Sequence, residues 1–431
     1  LKRVKENPAE GIKPPRGFLL PKFSACKSPK LAYKLRRMTN QILELAQKYQ
    51  KDTAQFLIDI ASIKSLSCGE RAVVERIARE MKEVGFDKVW TDGLGSVVGQ
   101  IGNGKKKIAF DAHIDTVDVG NKDLWKFEPF KAHEKDGKVW GRGVADQKGG
   151  MASMVYAGKI IKELGLAKDA TVYMVGSVME EDCDGLCWQY LIKEEGLKPD
   201  VVVLTEPTSL NVYRGHRGRM EIEMTVTGLS CHGSAPERGD NAVYKMAPII
   251  KGIEKLNDKL KSDEFLGKGT VVVSQVSSVG PSLCAVPDKC SIYLDRRLTW
   301  GETESSAISE LREVVADNGI SAEIVVPEYR SEAYTGKVYP TKKYYPTWKI
   351  APDHKAVVTA EKACVELFGV KPKTDKWTFS TNGVAIMGMH DIPCIGFGPG
   401  NEEQAHAPNE WTPVEHLVKA AAFYAAFVRS W

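Results

Sequence analysis

Lys107-Ile-Ala-Phe-Asp-Ala-His-Ile-Asp-Thr116 is an apolar strand that runs into a histidine and an aspartate. The same design returns twice. Thr171-Val-Tyr-Met-Val-Gly-Ser-Val-Met-Glu-Glu181 ends on two glutamates, and Val201-Val-Val-Leu-Thr-Glu-Pro207 ends on Glu206. Between and around these strands lie stretches with apolar residues at helical spacing: Thr39–Ala61, Gly69–Val84, Met151–Leu164 and Leu186–Glu194. A further strand is expected at Val97–Ile101. Strands alternating with helices predict an α/β fold with a mostly parallel sheet and helices on both faces. Such sheets bind ligands beyond the carboxyl ends of their strands, where this chain places its acids.

The rhythm changes between Val212 and Pro327. Strand Met220–Thr227, helix Ala242–Lys259, strands Thr270–Val276 and Lys289–Leu294, helix Glu304–Asn318 and strand Ser321–Val326 follow in order. This β-α-β-β-α-β series is the ferredoxin-like split motif, able to close on itself. Helix Lys355–Phe368, an apolar Gly-rich stretch Ala385–Gly400 and helix Pro413–Ser430 then resume the first pattern. The expected organisation is a discontinuous catalytic domain, residues 38–211 and 328–431, with an inserted lid or dimerisation domain at 212–327.

Of the 431 residues, 43% are hydrophobic and 27% charged, an ordinary globular composition. No apolar run approaches the roughly 20 residues of a membrane span, and no signal-peptide pattern is evident. Nine cysteines, an odd number without a CxxC pair, argue against a disulfide framework and for a reducing, cytoplasmic compartment. The net charge of +4 hides an asymmetry: residues 1–37 carry +9 and the remainder −5. A basic tail on an acidic body can serve nucleic acid or membrane binding. Pro8, Pro14, Pro15 and Pro21 and the missing periodicity of residues 1–37 instead predict an irregular or non-native extension, with neither a nucleic-acid nor a membrane partner.

The chemistry rests on a few positions. Period two puts His113 and Asp115 on one face of their strand, and a ligating histidine commonly gives its second ring N–H to a carboxylate. Asp146 lies in the Gly-rich loop Gly141-Arg-Gly-Val-Ala-Asp-Gln-Lys-Gly-Gly150, which has neither P-loop nor dinucleotide spacing. There a carboxylate can bridge two cations. Of Glu180 and Glu181, one can bind metal while the other moves a proton. Glu206 closes the next strand, and His406 follows a Gly-rich approach in Gln404-Ala-His-Ala-Pro408. Each position alone reads equally well as an ordinary polar strand end or solvated loop. Together, five N/O donors suit two divalent ions of the zinc type, with cobalt or manganese as alternatives. Cys231 and His232 do not make a thiol nucleophile pair, because neighbouring strand residues face opposite ways.

These motifs, in this order, resemble the di-zinc family of acetylornithine deacetylase, succinyl-diaminopimelate desuccinylase, aminoacylase and glutamate carboxypeptidases, over Met38 to Trp431. Cys231–Asp240 and Lys376–Gly383 are similar to its selenium-metabolism-linked hydrolase branch. The resemblance implies that His113 and Glu206 hold one zinc, Glu181 and His406 the other, and Asp146 bridges them. Asp115 would orient His113, Glu180 would be the general base, and the Asp146–Gln147 bond would be cis. His232 would stabilise the oxyanion over the neighbouring subunit's metals, Arg297 would hold a substrate carboxylate, and Asn382 would touch substrate. The family is dimeric through the lid, so a homodimer is implied. Cys284 and Gln147 depart from commoner residues and bear on substrate choice. The expected activity is hydrolysis of an amide C–N bond in an N-acyl, N-carbamoyl or dipeptide-like amino acid, and the branch points to a ureido-substituted one. The alternative is a non-catalytic metal-binding scaffold that kept the fold, for which an intact Glu180 would have no use.

Overall fold

The computed structural model describes residues 29–431, with side chains from Tyr33 onward. Helices α1 (Pro29–Lys48), α2 (Gln50–Ala61) and α3 (Arg71–Glu83) open the described chain. The irregular extension expected through Arg37 therefore stops sooner: Pro29–Arg37 is helical, with Pro29 at the first helical position, where its missing N–H is harmless. Residues 1–28 lie outside the described residues. Strands β1 (Lys88–Thr91), β2 (Val97–Ile101) and β3 (Lys106–His113) follow, then α4 (Lys148–Leu164), β4 (Ala170–Ser177), α5 (Leu186–Lys193), β5 (Val201–Leu204) and β6 (Val212–Tyr213). Gly165, at φ 58°, closes α4 in the left-handed conformation that a glycine adopts without strain.

The inserted domain contains β7 (Gly218–Thr227), α6 (Ala242–Lys259), β8 (Thr270–Val279), β9 (Lys289–Leu298), α7 (Glu304–Asp317), β10 (Glu323–Val325) and β11 (Tyr344–Tyr345). Its helices begin on recognisable caps. Asn241 accepts from the Val243 and Tyr244 backbone N–H groups, and Thr303 forms a capping box with Ser306. The chain returns through α8 (Lys355–Phe368), β12 (Thr374–Asp375), β13 (Cys394–Gly396) and α9 (Val414–Ser430).

The large sheet has the order β1-β2-β4-β3-β5-β13-β6-β12. Its centre, β4-β3-β5-β13, is parallel, while β1 and β2 on one side and β6 against β13 on the other pair antiparallel. All four residues of β5 are buried, so both faces of the sheet are covered, as parallel sheets require. The smaller sheet runs β8-β9-β7-β10, with β11 beside β7, around its own core of Met220, Ile222, Ile249, Leu294 and Leu311. The domain boundary differs from the expected Val212. Strand β6 belongs to the large sheet, and β11, beyond Pro327, joins the lid. Two-residue strands carry too little alternation to reveal their sheet from sequence. No helix among the described residues is long and apolar enough to cross a membrane.

Candidate metal centre

Three adjacent parallel strands deliver the acids. In the register of β3 and β4, His113 lies opposite Ser177; in that of β3 and β5, Asp111 lies opposite Leu204. Their carboxyl ends therefore come out side by side and present His113, Glu180 with Glu181, and Glu206. The fourth strand of the parallel set, β13, leads into the loop that carries His406. Two glycines let these segments close up. A Cβ on Gly150 would lie 2.1 Å from Thr205 Oγ1, and one on Gly398 would lie 2.1 Å from the Thr205 and Glu206 carbonyl oxygens.

His113 Nε2 is 2.9 Å from Asp146 Oδ1 and 3.7 Å from Glu206 Oε1. His406 Nε2 is 2.9 Å from Glu181 Oε2 and 3.5 Å from Asp146 Oδ2. The donors fall into two triads, His113-Asp146-Glu206 and Asp146-Glu181-His406, each with its ligand atoms within 4.8 Å of one another. Asp146 is common to both, and its bond to Gln147 is cis. Glu180 belongs to neither triad; its Oε2 is 3.9 Å from His113 Nε2. Asp115 holds His113 from below, more by main chain than by side chain. His113 Nδ1 is 3.0 Å from the Asp115 carbonyl oxygen and 3.5 Å from Oδ1. Asp115 Oδ2 accepts from Ser67 Oγ and from the Glu181 backbone N–H.

The electrostatics call for cations. Burial, with the mutual repulsion of neighbouring acids, pushes Glu180 and Glu206 well above their ordinary range and raises Glu181. His113 is held well above its ordinary value although burial opposes its charge, because Glu180, Asp115, Asp146 and Glu206 surround it. Among the described residues, Glu180 Oε1, Glu206 Oε2 and Asp115 Oδ1 are buried without a hydrogen-bond partner. Buried carboxylate oxygens left unpaired are costly, and a divalent ion held by His113, Asp146 and Glu206 would satisfy that of Glu206. The N/O donor set fits zinc-type ions.

Glu410 was not singled out from sequence, yet it holds the Asp146 loop. Its Oε1 accepts from the Ala145 and Asp146 backbone N–H groups, at 2.7 and 3.1 Å. Its Oε2 accepts from the Gly143 backbone and Arg142 Nη1, each at 2.8 Å. Burial pushes it up to about 7, against Arg142 and these backbone donors. Four donors and no acceptor around it are the environment of a carboxylate. Its position four residues after His406 was the available signal.

The triads floor a cavity of about 390 Å³, walled by Arg219 and Arg297 from the lid strands and by Thr378–Ser380 and Glu402. Arg297 lines it, with Nε 2.8 Å from Asp295 Oδ1 and Nη2 2.9 Å from Oδ2. Arg219 was missed, because one arginine on an alternating strand looks like any other. One expectation needs correction. Asn382 is buried at 1% exposure and fully engaged: Nδ2 donates to Asp111 Oδ2 and Ser177 Oγ, and Oδ1 accepts from the Gly185 N–H. It ties strand ends together and has no polar atom left for a substrate. His232 does not line this cavity within its own chain. It is exposed, with Nδ1 2.7 Å from Ser234 Oγ, in a separate lid cavity of about 890 Å³ beside Tyr244 and Leu283.

A family model described as peptidase family M20/M25/M40 matches residues 109–430. A protein of Escherichia coli K12, the uncharacterised YgeY, is 55% identical over 390 residues, 90% of this chain and 97% of its own. A probable succinyl-diaminopimelate desuccinylase of Staphylococcus epidermidis is 29% identical over 299 residues, 62% of this chain and 72% of its own. Aminopeptidase PepT from Bacillus cereus has the same fold, with a TM-score of 0.67 at 21% identity over 88% of this chain and 98% of that one. So does Bacillus subtilis YXEP, a dinuclear metal-binding peptidase, with a TM-score of 0.65 at 15% identity over 89% and 98%.

Proposed function

Since the chain belongs to peptidase family M20/M25/M40, we propose that it hydrolyses the amide C–N bond of an N-acyl, N-carbamoyl or dipeptide-like amino acid. The observation that carries this reading is the pair of triads sharing Asp146, with the unligating Glu180 beside them. Two divalent ions, most simply zinc, held by His113, Glu206 and Asp146 and by Glu181, His406 and Asp146, would supply Lewis acidity and a more acidic water. Glu180 Oε1 has no partner among the described residues and is free to accept a proton from the attacking water. Glu180 then returns that proton to the leaving nitrogen as the C–N bond breaks, releasing a carboxylate or carbamate and an amine. Asp115 fixes the ring of His113, and Glu410 fixes the loop that presents Asp146.

The oxyanion donor comes from outside the chain's own cavity. His232 sits elsewhere, in an open lid cavity, and exposed apolar Tyr244, Val276, Val279 and Leu283 accompany it on that domain. This supports a homodimer through the lid in which each chain's His232 serves its partner's centre.

The test is reconstitution. Protein stripped by chelator and reloaded with zinc, cobalt or manganese is assayed on N-acetyl, N-succinyl and N-carbamoyl amino acids, a ureido amino acid and dipeptides. Amine release is expected from at least one class, and only after reloading. Protein carrying two ions per chain that releases no amine from any of them would overturn the proposal.

A further inference from the structure

Arg219 on β7 stands directly opposite Arg297 on β9 in an antiparallel pair, so both side chains leave the same face of the lid sheet. Both reach the cavity over the triads. Like charges directly opposite each other weaken a strand pair, and here both are largely buried, at 19% and 28% side-chain exposure. Arg297 has its own acid, Asp295, on two nitrogens. Arg219 does not. Its nearest carboxylate oxygens are Asp184 Oδ1 at 3.3 Å and Glu221 Oε1 at 3.6 Å. Glu221 is already committed to Lys343 Nζ and the Tyr293 hydroxyl. Arg219 Nε and Nη2 are buried without a hydrogen-bond partner among the described residues. The guanidinium also lies against the Tyr345 ring, 4.7 Å from its centroid.

A positive group kept beside another positive group, with unmade hydrogen bonds, at the wall of a cavity, is an anion site. We propose that Arg219 determines specificity: with Arg297 it holds the carboxylate of the substrate's amino-acid part, while the scissile carbonyl lies over the triads. The two aspartates beside these arginines leave little net positive charge, which favours a monoanionic carboxylate over a phosphate dianion. Compounds that lack that carboxylate, including peptides extended beyond it, would leave two guanidinium groups unpaired and be rejected. This inference rests on the proposed hydrolase reading and names its specificity residue.

Calorimetry on metal-loaded protein measures binding of an N-acetyl amino acid and of its carboxamide to wild type, Arg219→Met and Arg219→Lys. Arg219→Met should raise Kd for the acid by about 10- to 100-fold, the value of a lost charge-assisted hydrogen-bond pair. Arg219→Lys should fall between, and the carboxamide should change by less than about threefold in either. Equal weakening for acid and carboxamide, or a wild type that binds the acid no tighter than the carboxamide, would overturn the assignment. No turnover is needed, so wild type that binds the acid selectively yet cleaves nothing would sink the hydrolase reading and leave the role of Arg219 standing.

Discussion

Glu180 and Glu181 are adjacent in the chain but occupy different chemical positions, and substitution can separate them. Glu181 contacts His406 and belongs to a triad, whereas Glu180 lies beside both triads without joining either. Glu180→Ala should keep near-normal metal content and lose turnover by about 10²- to 10⁴-fold, the usual contribution of a general base. Glu181→Ala and His406→Ala should lower the metal stoichiometry itself. Elemental analysis beside steady-state kinetics decides. Loss of an ion from Glu180→Ala, with the remaining holoenzyme still fully active, would reverse the roles.

At the scale of elements, the joint between the two domains contains a histidine that must stay neutral. Gly215–His216 pairs with Trp348–Lys349, just before the chain enters β7. His216 is fully buried; Nε2 accepts from Trp348 Nε1 at 2.7 Å and from the Thr381 backbone N–H, and Nδ1 donates to the Arg217 carbonyl. Indole nitrogen is only a donor, so a proton on Nε2 would face another N–H. Burial, helped by the charge of Arg297, depresses this histidine to about 4. The unfolded chain takes its proton near 6.5, so between there and about 4 the unfolded state binds more protons. Stability from this group is complete above about pH 6.5 and should fall on acidification by a few kcal/mol at most. Melting curves from pH 4.5 to 7.5 should show a shallower decline for His216→Asn than for wild type. Parallel declines would mean His216 does not contribute.

For the whole molecule, the sharpest expectation is that the working centre needs two chains. Glu180→Ala and His232→Ala should each be nearly inactive alone. Mixed dimers would contain one doubly impaired centre and one intact centre. Random reassortment makes about half the dimers mixed, so about a quarter of wild-type activity should return. If His232 serves its own chain, every centre keeps one lesion and nothing returns, with subunit exchange verified by mass spectrometry.

The elements with strong periodicity were legible from residues alone: β2, α6 and α8 lie where the sequence placed them, residue for residue. The candidate ligands were also legible. Parallel strands deliver their carboxyl ends to one edge, so apolar runs that end on acids announce a site before any coordinates. What folding alone decided was the use of residues whose local sequence carries no pattern. Asn382 became a buried strut because Asp111, Ser177 and Gly185 reach it from distant segments. Glu410 became the clamp of the Asp146 loop, and Arg219 came to face Arg297 across a strand pair. Local periodicity depends on near neighbours in the chain, whereas hydrogen-bond satisfaction and charge pairing depend on which distant segments packing brings together.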